Sequence, residues 1–102
     1  MPFAEFAPRS FTAASIRKNA PDASGVYGLS NAREWLFVGE CNNIRLHLLE
    51  HLNETGTVLK AQHPTGFKFE LCSPEERIAR QDRLVLELEP RCNRRFFDTT
   101  NR

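Results

Sequence analysis

The stretch Ser24-Gly25-Val26-Tyr27-Gly28-Leu29-Ser30-Asn31-Ala32-Arg33-Glu34-Trp35-Leu36-Phe37-Val38 decides the fold. Its two ends, residues 24–29 and 34–38, are aromatic and β-branched runs, and the Ser30-Asn31-Ala32-Arg33 connection has turn chemistry, so the stretch predicts a β-hairpin. Downstream, Asn42 or Asn43 can cap a helix, and Ile44, Leu48, Leu49 and Leu52 recur at helical spacing until Asn53 and Gly56 end the pattern. Residues 66–72 alternate Phe67, Phe69 and Leu71 with Lys68 and Glu70, the period of a strand. Ser73, Pro74 and Glu76 then read as a capping-box start to a helix running to about Glu89 and stopped by Pro90. Upstream, Thr12 caps a short helix to about Lys18, and Phe3, Phe6 and Phe11 stud an irregular arm broken by Pro2 and Pro8. The predicted order is α-β-β-α-β-α, an α/β (α+β) fold with a three-stranded, mainly antiparallel sheet flanked by helices.

The 102 residues suit one core, and 40% hydrophobic with 26% charged residues places the chain among folded globular proteins. A single domain over residues 1–102 is expected. The 14 basic and 13 acidic side chains leave a formal net charge of +1, so no overall field draws the chain to nucleic acid or an anionic membrane. Eleven of the basic residues are Arg, whose fork suits carboxylates and phosphates alike; pairing with the nearly equal number of acids is the plain expectation. Cys41, Cys72 and Cys92 lack the spacing of a zinc ribbon or redox motif and read as reduced thiols. With no apolar run long enough to span a bilayer, a cytoplasmic protein without membrane contact is expected.

Several residues can carry chemistry. His47 and His51 lie one turn apart at the border of the apolar stripe, where two imidazoles could reach one ligand; the spacing equally describes two surface histidines. Zinc would need a third ligand, and Cys41, His63 and Cys72 offer no recognisable spacing. On the last helix Arg77, Gln81, Leu84, Val85 and Leu88 share one side, which aims a carboxamide into an apolar face. Such a group must find hydrogen bonds or cost roughly 1–3 kcal/mol. It can satisfy backbone groups or floor a site. Tyr27, between Gly25-Val26 and Gly28, is expected to present an unshielded phenol, and Asn93 to close a turn after Pro90.

In order and spacing these residues resemble the GIY-YIG nuclease superfamily. The first motif reads Gly25-Val26-Tyr27, the second Phe37-Val38-Gly39; residues 43–52 resemble the family's middle helix, and residues 80–93 its closing helix with the Pro-x-x-Asn end. The match covers about residues 23–93 and is most similar to small stand-alone bacterial members. It implies a domain that hydrolyses DNA phosphodiesters with one Mg²⁺ or Mn²⁺, the first-motif Tyr activating water, an Arg steadying phosphate and a Glu on the closing helix holding the metal.

Carried over by position, the resemblance implies catalytic roles for Tyr27, Phe37, His47, His51, Gln81 and Asn93. Three of these depart from the family pattern. Phe37 lacks the second Tyr's hydroxyl, His47 replaces the Arg, and Gln81 stands at the metal-binding Glu. A neutral amide is a poor ligand for Mg²⁺, and Asp82 points about 100° away around the helix. The resemblance therefore implies cleavage that is weak or lost, with residual, salt-sensitive DNA contact through Arg45, Arg77, Arg94 and Arg95. An opposing enzyme reading makes Tyr27, His47 and His51 a metal-poor phosphodiesterase. The alternative from another class is a non-catalytic module that docks a protein partner through Phe3, Phe6 and Phe11 or Phe96-Phe97.

Overall fold

A computed structural model describes residue 3 and residues 7–93. The elements are β1 (Arg9–Ser10), α1 (Ala13–Asn19), β2 (Gly25–Ser30), β3 (Trp35–Cys41), α2 (Ile44–Asn53), α3 (Val58–Ala61), β4 (Gly66–Leu71) and α4 (Arg77–Leu88). The sheet is wholly antiparallel, in the order β1-β4-β2-β3. The predicted hairpin is β2-β3, paired from Gly25↔Cys41 to Ser30↔Trp35. Two elements were not legible. β1 pairs only Arg9 with Phe67 and Ser10 with Gly66, too short to show alternation, and it makes the sheet four-stranded rather than three-stranded. The single turn of α3 is held by Thr57, whose hydroxyl accepts from the Lys60 N–H.

All six residues of β2 are buried because helices cover both faces of the sheet. Tyr27 and Leu29 join Phe67, Ile16, Ile44, Leu48 and Leu59 on the side of α1 and α2. Val26 joins Val38, Leu84, Val85 and Phe3 on the side of α4. A strand covered twice reads as a continuous apolar run rather than an alternating one, and that is the pattern around Tyr27. Between Leu29 and Ser30 the register shifts, leaving Leu36 unopposed. This β-bulge lets Leu36 and its neighbour Phe37 both pack in the α2-side core.

The helix ends follow local chemistry, with one correction. Thr12 and Asn43 cap α1 and α2, accepting from the N–H groups of Ser15 and Leu46. The Ser73 capping box does not form. The Glu76 N–H bonds the Ser73 carbonyl at 3.0 Å, closing a turn first, and α4 starts at Arg77 with no side-chain cap. At its other end Glu89 takes the left-handed conformation (φ 48°) with its N–H on Val85 O, one residue short of the predicted end. In the arm Phe3 and Phe11 are 4% and 7% exposed, which removes the motive for docking through them. Phe6, Arg94, Arg95, Phe96 and Phe97 lie outside the described residues.

β3 is an edge strand, and its outer backbone groups are closed by side chains. Asn93 Oδ1 accepts from the Val38 N–H at 2.7 Å while its Nδ2 donates to the Val38 carbonyl at 2.9 Å. Gln81 Oε1 accepts from the Glu40 N–H at 2.8 Å. Asn93 thus closes the strand edge rather than merely a turn. Both amides belong to the α4 segment and fasten it to the sheet.

Two substitutions probe these contacts. Asn93→Ala leaves both Val38 groups without their partner, and a loss of about 1–3 kcal/mol is expected in urea unfolding. At Gly25 an added Cβ would run into the backbone carbonyl of Glu70 and approach Ile44 Cδ1 to 2.8 Å. Gly25→Ala is therefore expected to lower the unfolding midpoint by the equivalent of about 3 kcal/mol, since a backbone atom cannot swing aside as a side chain can.

Candidate functional site

Tyr27 enters the site from the middle of β2, and α2 crosses that face of the sheet so that His47 and His51 reach the same ring. The Tyr27 hydroxyl lies 2.6 Å from His51 Nε2. On the other side of the imidazole, His51 Nδ1 lies 3.2 Å from Glu54 Oε1. Phe37 completes the cluster, its ring 5.3 Å from His51 and 6.1 Å from Tyr27 between centroids; His47 is 6.3 Å from Tyr27. The phenol can settle this low because Gly39 lies beneath it: a Cβ there would be 2.8 Å from Phe37 Cε2 and 2.9 Å from the Tyr27 oxygen.

Tyr27 is only 2% exposed, so the expectation of an unshielded phenol is corrected. The flanking glycines do not leave open space, because Glu70 and Ile44 pack against Gly25 and the rings of Trp35 and Phe3 against Gly28. Burial raises the phenol's pKa well above its ordinary value, and Cys41, Glu54, Glu50 and Glu40 push it the same way. The neutral phenol is the resting form. His51 is no simple surface histidine either, its side chain being 15% exposed.

Gln81 and Asn93 stand on the α4 side, at the β3 edge. Of the two options open for an inward-facing Gln, this one satisfies backbone. A backbone N–H can only donate, so the amide oxygen of Gln81 faces Glu40 and its NH₂ is the remaining group. Beside it Arg77 Nε is 3.0 Å from Glu40 Oε1, near enough for an ion pair but not aligned as a hydrogen bond, for this buried nitrogen has no hydrogen-bond partner. Its other end donates to Ser24 Oγ at 3.4 Å, and that hydroxyl donates to the Cys72 carbonyl at 2.8 Å.

The six residues singled out by position therefore form two groups. Tyr27, Phe37, His47 and His51 cluster against α2; Gln81 and Asn93 hold the strand from the other side. Gly39 lies under the phenol, and its two neighbours are the residues gripped by the amides. Of the cations expected to contact phosphate, the two among the described residues have internal partners: Arg45 donates to Ala20 O at 2.8 Å and to Asp22 Oδ2 at 3.0 Å, and Arg77 is engaged as above. Arg80 with Glu70 and Arg91 with Glu34 follow the same pattern. Sequence reasoning missed Glu54 and Glu40. Glu54 is three residues after His51, the spacing that puts two side chains on one helical face, but it follows the apparent Asn53 stop.

These donors do not fit a divalent cation. Mg²⁺ takes hard, preferably charged oxygen ligands, whereas the one amide oxygen of Gln81 is spent on a backbone N–H and the Glu40 carboxylate is opposed by Arg77. Among the described residues no group of three His, Cys, Asp or Glu side chains is placed to hold a metal ion, so neither Cys41, His63 nor Cys72 joins His47 and His51 as a third zinc ligand there.

No protein-family model matches this chain, and no curated protein matches it by sequence. Solved structures do. The magnesium-bound GIY-YIG N-terminal endonuclease domain of UvrC from Thermotoga maritima superposes with a TM-score of 0.64 at 19% identity, over 76% of this chain and 93% of the other. Variants of that domain with a single Tyr→Phe substitution, bound to the catalytic divalent cation, match equally at 18 to 20% identity. At that identity the likeness concerns architecture, and it agrees with the order of strands, helices and motifs described above: this chain has the GIY-YIG endonuclease fold.

Proposed function

We propose that this chain is a GIY-YIG-type domain that meets the phosphodiester backbone of DNA but in which metal-dependent cleavage is weak or lost. The observation that supports this most is the 2.8 Å bond from the Glu40 N–H to Gln81 Oε1. At the position where the family carries its metal-binding Glu, the side chain is neutral and its oxygen serves the sheet. His47 in place of the family's Arg removes a bidentate phosphate clamp, and Phe37 removes a hydroxyl. Arg45 and Arg77 would have to exchange Asp22 and Glu40 for phosphate, so modest and salt-sensitive affinity is expected. The domain is proposed to act in the cytoplasm, where its unbridged Cys41, Cys72 and Cys92 would stay reduced. No helix of the described residues is long and apolar enough to cross a membrane.

A plasmid assay tests the loss of cleavage. With supercoiled DNA and Mg²⁺ or Mn²⁺, the native chain should leave the plasmid intact and the Gln81→Glu/His47→Arg variant should nick it. Vigorous nicking by the native chain, abolished by Tyr27→Phe, would sink the reading. Metal binding is checked apart from activity: Mg²⁺ should leave the native melting temperature unchanged and raise that of Gln81→Glu, by the equivalent of about 2.7 kcal/mol at a hundredfold excess over Kd. DNA affinity of the native chain should fall steeply as salt is raised, and a salt-independent affinity would point to contacts other than phosphate.

A further inference from the structure

We infer that Glu54 is a positioning residue that fixes His51 as the tautomer able to take the Tyr27 proton, so that Tyr27, His51 and Glu54 form a one-way proton relay. The chemical use of the relay rests on the reading of the site given above; its protonation pattern does not.

An ionised carboxylate only accepts hydrogen bonds, so with Glu54 Oε1 3.2 Å from Nδ1 the imidazole must carry its proton on Nδ1. In the neutral ring Nε2 is then an unprotonated acceptor. Opposite it, at 2.6 Å, stands the Tyr27 hydroxyl, whose only proton therefore points at His51. The reverse tautomer would set a nitrogen lone pair against the carboxylate and lose that contact. The geometry is constrained from below as well, since Gly39 backbone lies under the phenol and Phe37 packs on the imidazole.

Burial first, then the charges of Glu54, Glu50 and Glu40 from the surrounding elements, disfavour a resting phenolate, with the Cys41 thiol and the His47 imidazole the other titratable groups beside the ring. A base preformed as phenolate is thereby disfavoured. A proton can still be passed on at the moment of reaction. As a water's O–H bond breaks, its proton goes to the Tyr27 oxygen while the phenol proton moves to His51 Nε2. The hydroxide so formed makes the new P–O bond as the bond from phosphorus to the leaving sugar oxygen breaks with its electron pair, and the departing alkoxide takes a proton from solvent. The imidazolium left behind faces the Glu54 carboxylate, which stabilises it more than it stabilises the neutral ring. Glu54 touches no reacting atom in this scheme. It sets the direction in which the other two groups exchange a proton, as the outer carboxylate does wherever one nitrogen of a His decides the role of the other.

Nitrogen NMR of the imidazole tests the relay in the intact chain. At about pH 8, above the ordinary imidazole range, His51 should show a protonated Nδ1 and an unprotonated Nε2. Glu54→Ala should shift the ring toward the Nε2–H form, and Glu54→Gln, whose amide oxygen still accepts, should restore the native pattern. A native His51 protonated at Nε2, or a tautomer indifferent to Glu54→Ala, would overturn the inference. A second readout uses the Gln81→Glu/His47→Arg background: adding Glu54→Ala should slow plasmid nicking about tenfold with little change in DNA affinity, and Glu54→Gln should recover most of the rate. An unchanged rate on Glu54→Ala counts against the relay. If the double variant fails to nick at all, the degenerate-nuclease reading falls, while the tautomer measurement still decides whether Glu54 sets His51.

Discussion

The closure of the β3 edge at Val38 and Glu40 is the constraint on which the rest of this structure depends. An edge strand exposes a row of backbone donors and acceptors, and here two carboxamides from the α4 segment take them up at Val38 and Glu40. Because the residue between is Gly39, the same three positions also let the Tyr27 phenol lie flush on the sheet. The site cannot be altered on one face without disturbing the other. Gln81 touches neither Tyr27 nor His51 in the hydrogen-bond network, yet it fixes the strand against which both are packed.

Charge divides the site into unequal halves. Tyr27, His51 and Glu54 stand together in one hydrogen-bonded row, the Tyr27 ring buried and the other two side chains half-buried. The arginines around them are paired, with Arg45 facing Asp22, Arg77 facing Glu40, Arg80 facing Glu70 and Arg91 facing Glu34 among the described residues. Balanced composition is the bulk expression of this pairing. A phosphate backbone approaching the domain would compete with carboxylates already in place, and the more exposed Arg45–Asp22 and Arg91–Glu34 pairs are worth little enough to exchange.

Much of this was legible in the sequence where the physics is local. The β2-β3 hairpin, the Asn43 and Thr12 caps and the inward carboxamide of Gln81 follow from period and capping chemistry within a few residues. What escaped notice depends on distant partners. β1 is two residues long and exists because β4 offers it an edge; the Ser73 box yields to a turn closed by Glu76 N–H; and Tyr27 is enclosed, though flanking glycines say nothing about which rings and carbonyls fill the space above them. Glu54 and Glu40 belong to the same class. Their neighbours along the chain are ordinary, and only the crossing of α2 over the sheet, or of α4 behind it, gives either carboxylate a role.

The stop of α4 acquires meaning from the same geometry. Gln81 and Asn93, separated by most of a helix and its left-handed end at Glu89, grip backbone groups only two residues apart on β3, a span of about 7 Å. The helix must therefore end on a fixed count and fold back at once through Pro90. One residue more or less between positions 81 and 93 would turn one amide about 100° around the axis while the other stayed seated. α4 acts as a gauge whose length is set by a strand it never pairs with, so its outward face, with Asp82 and Leu86, can vary freely while its length cannot.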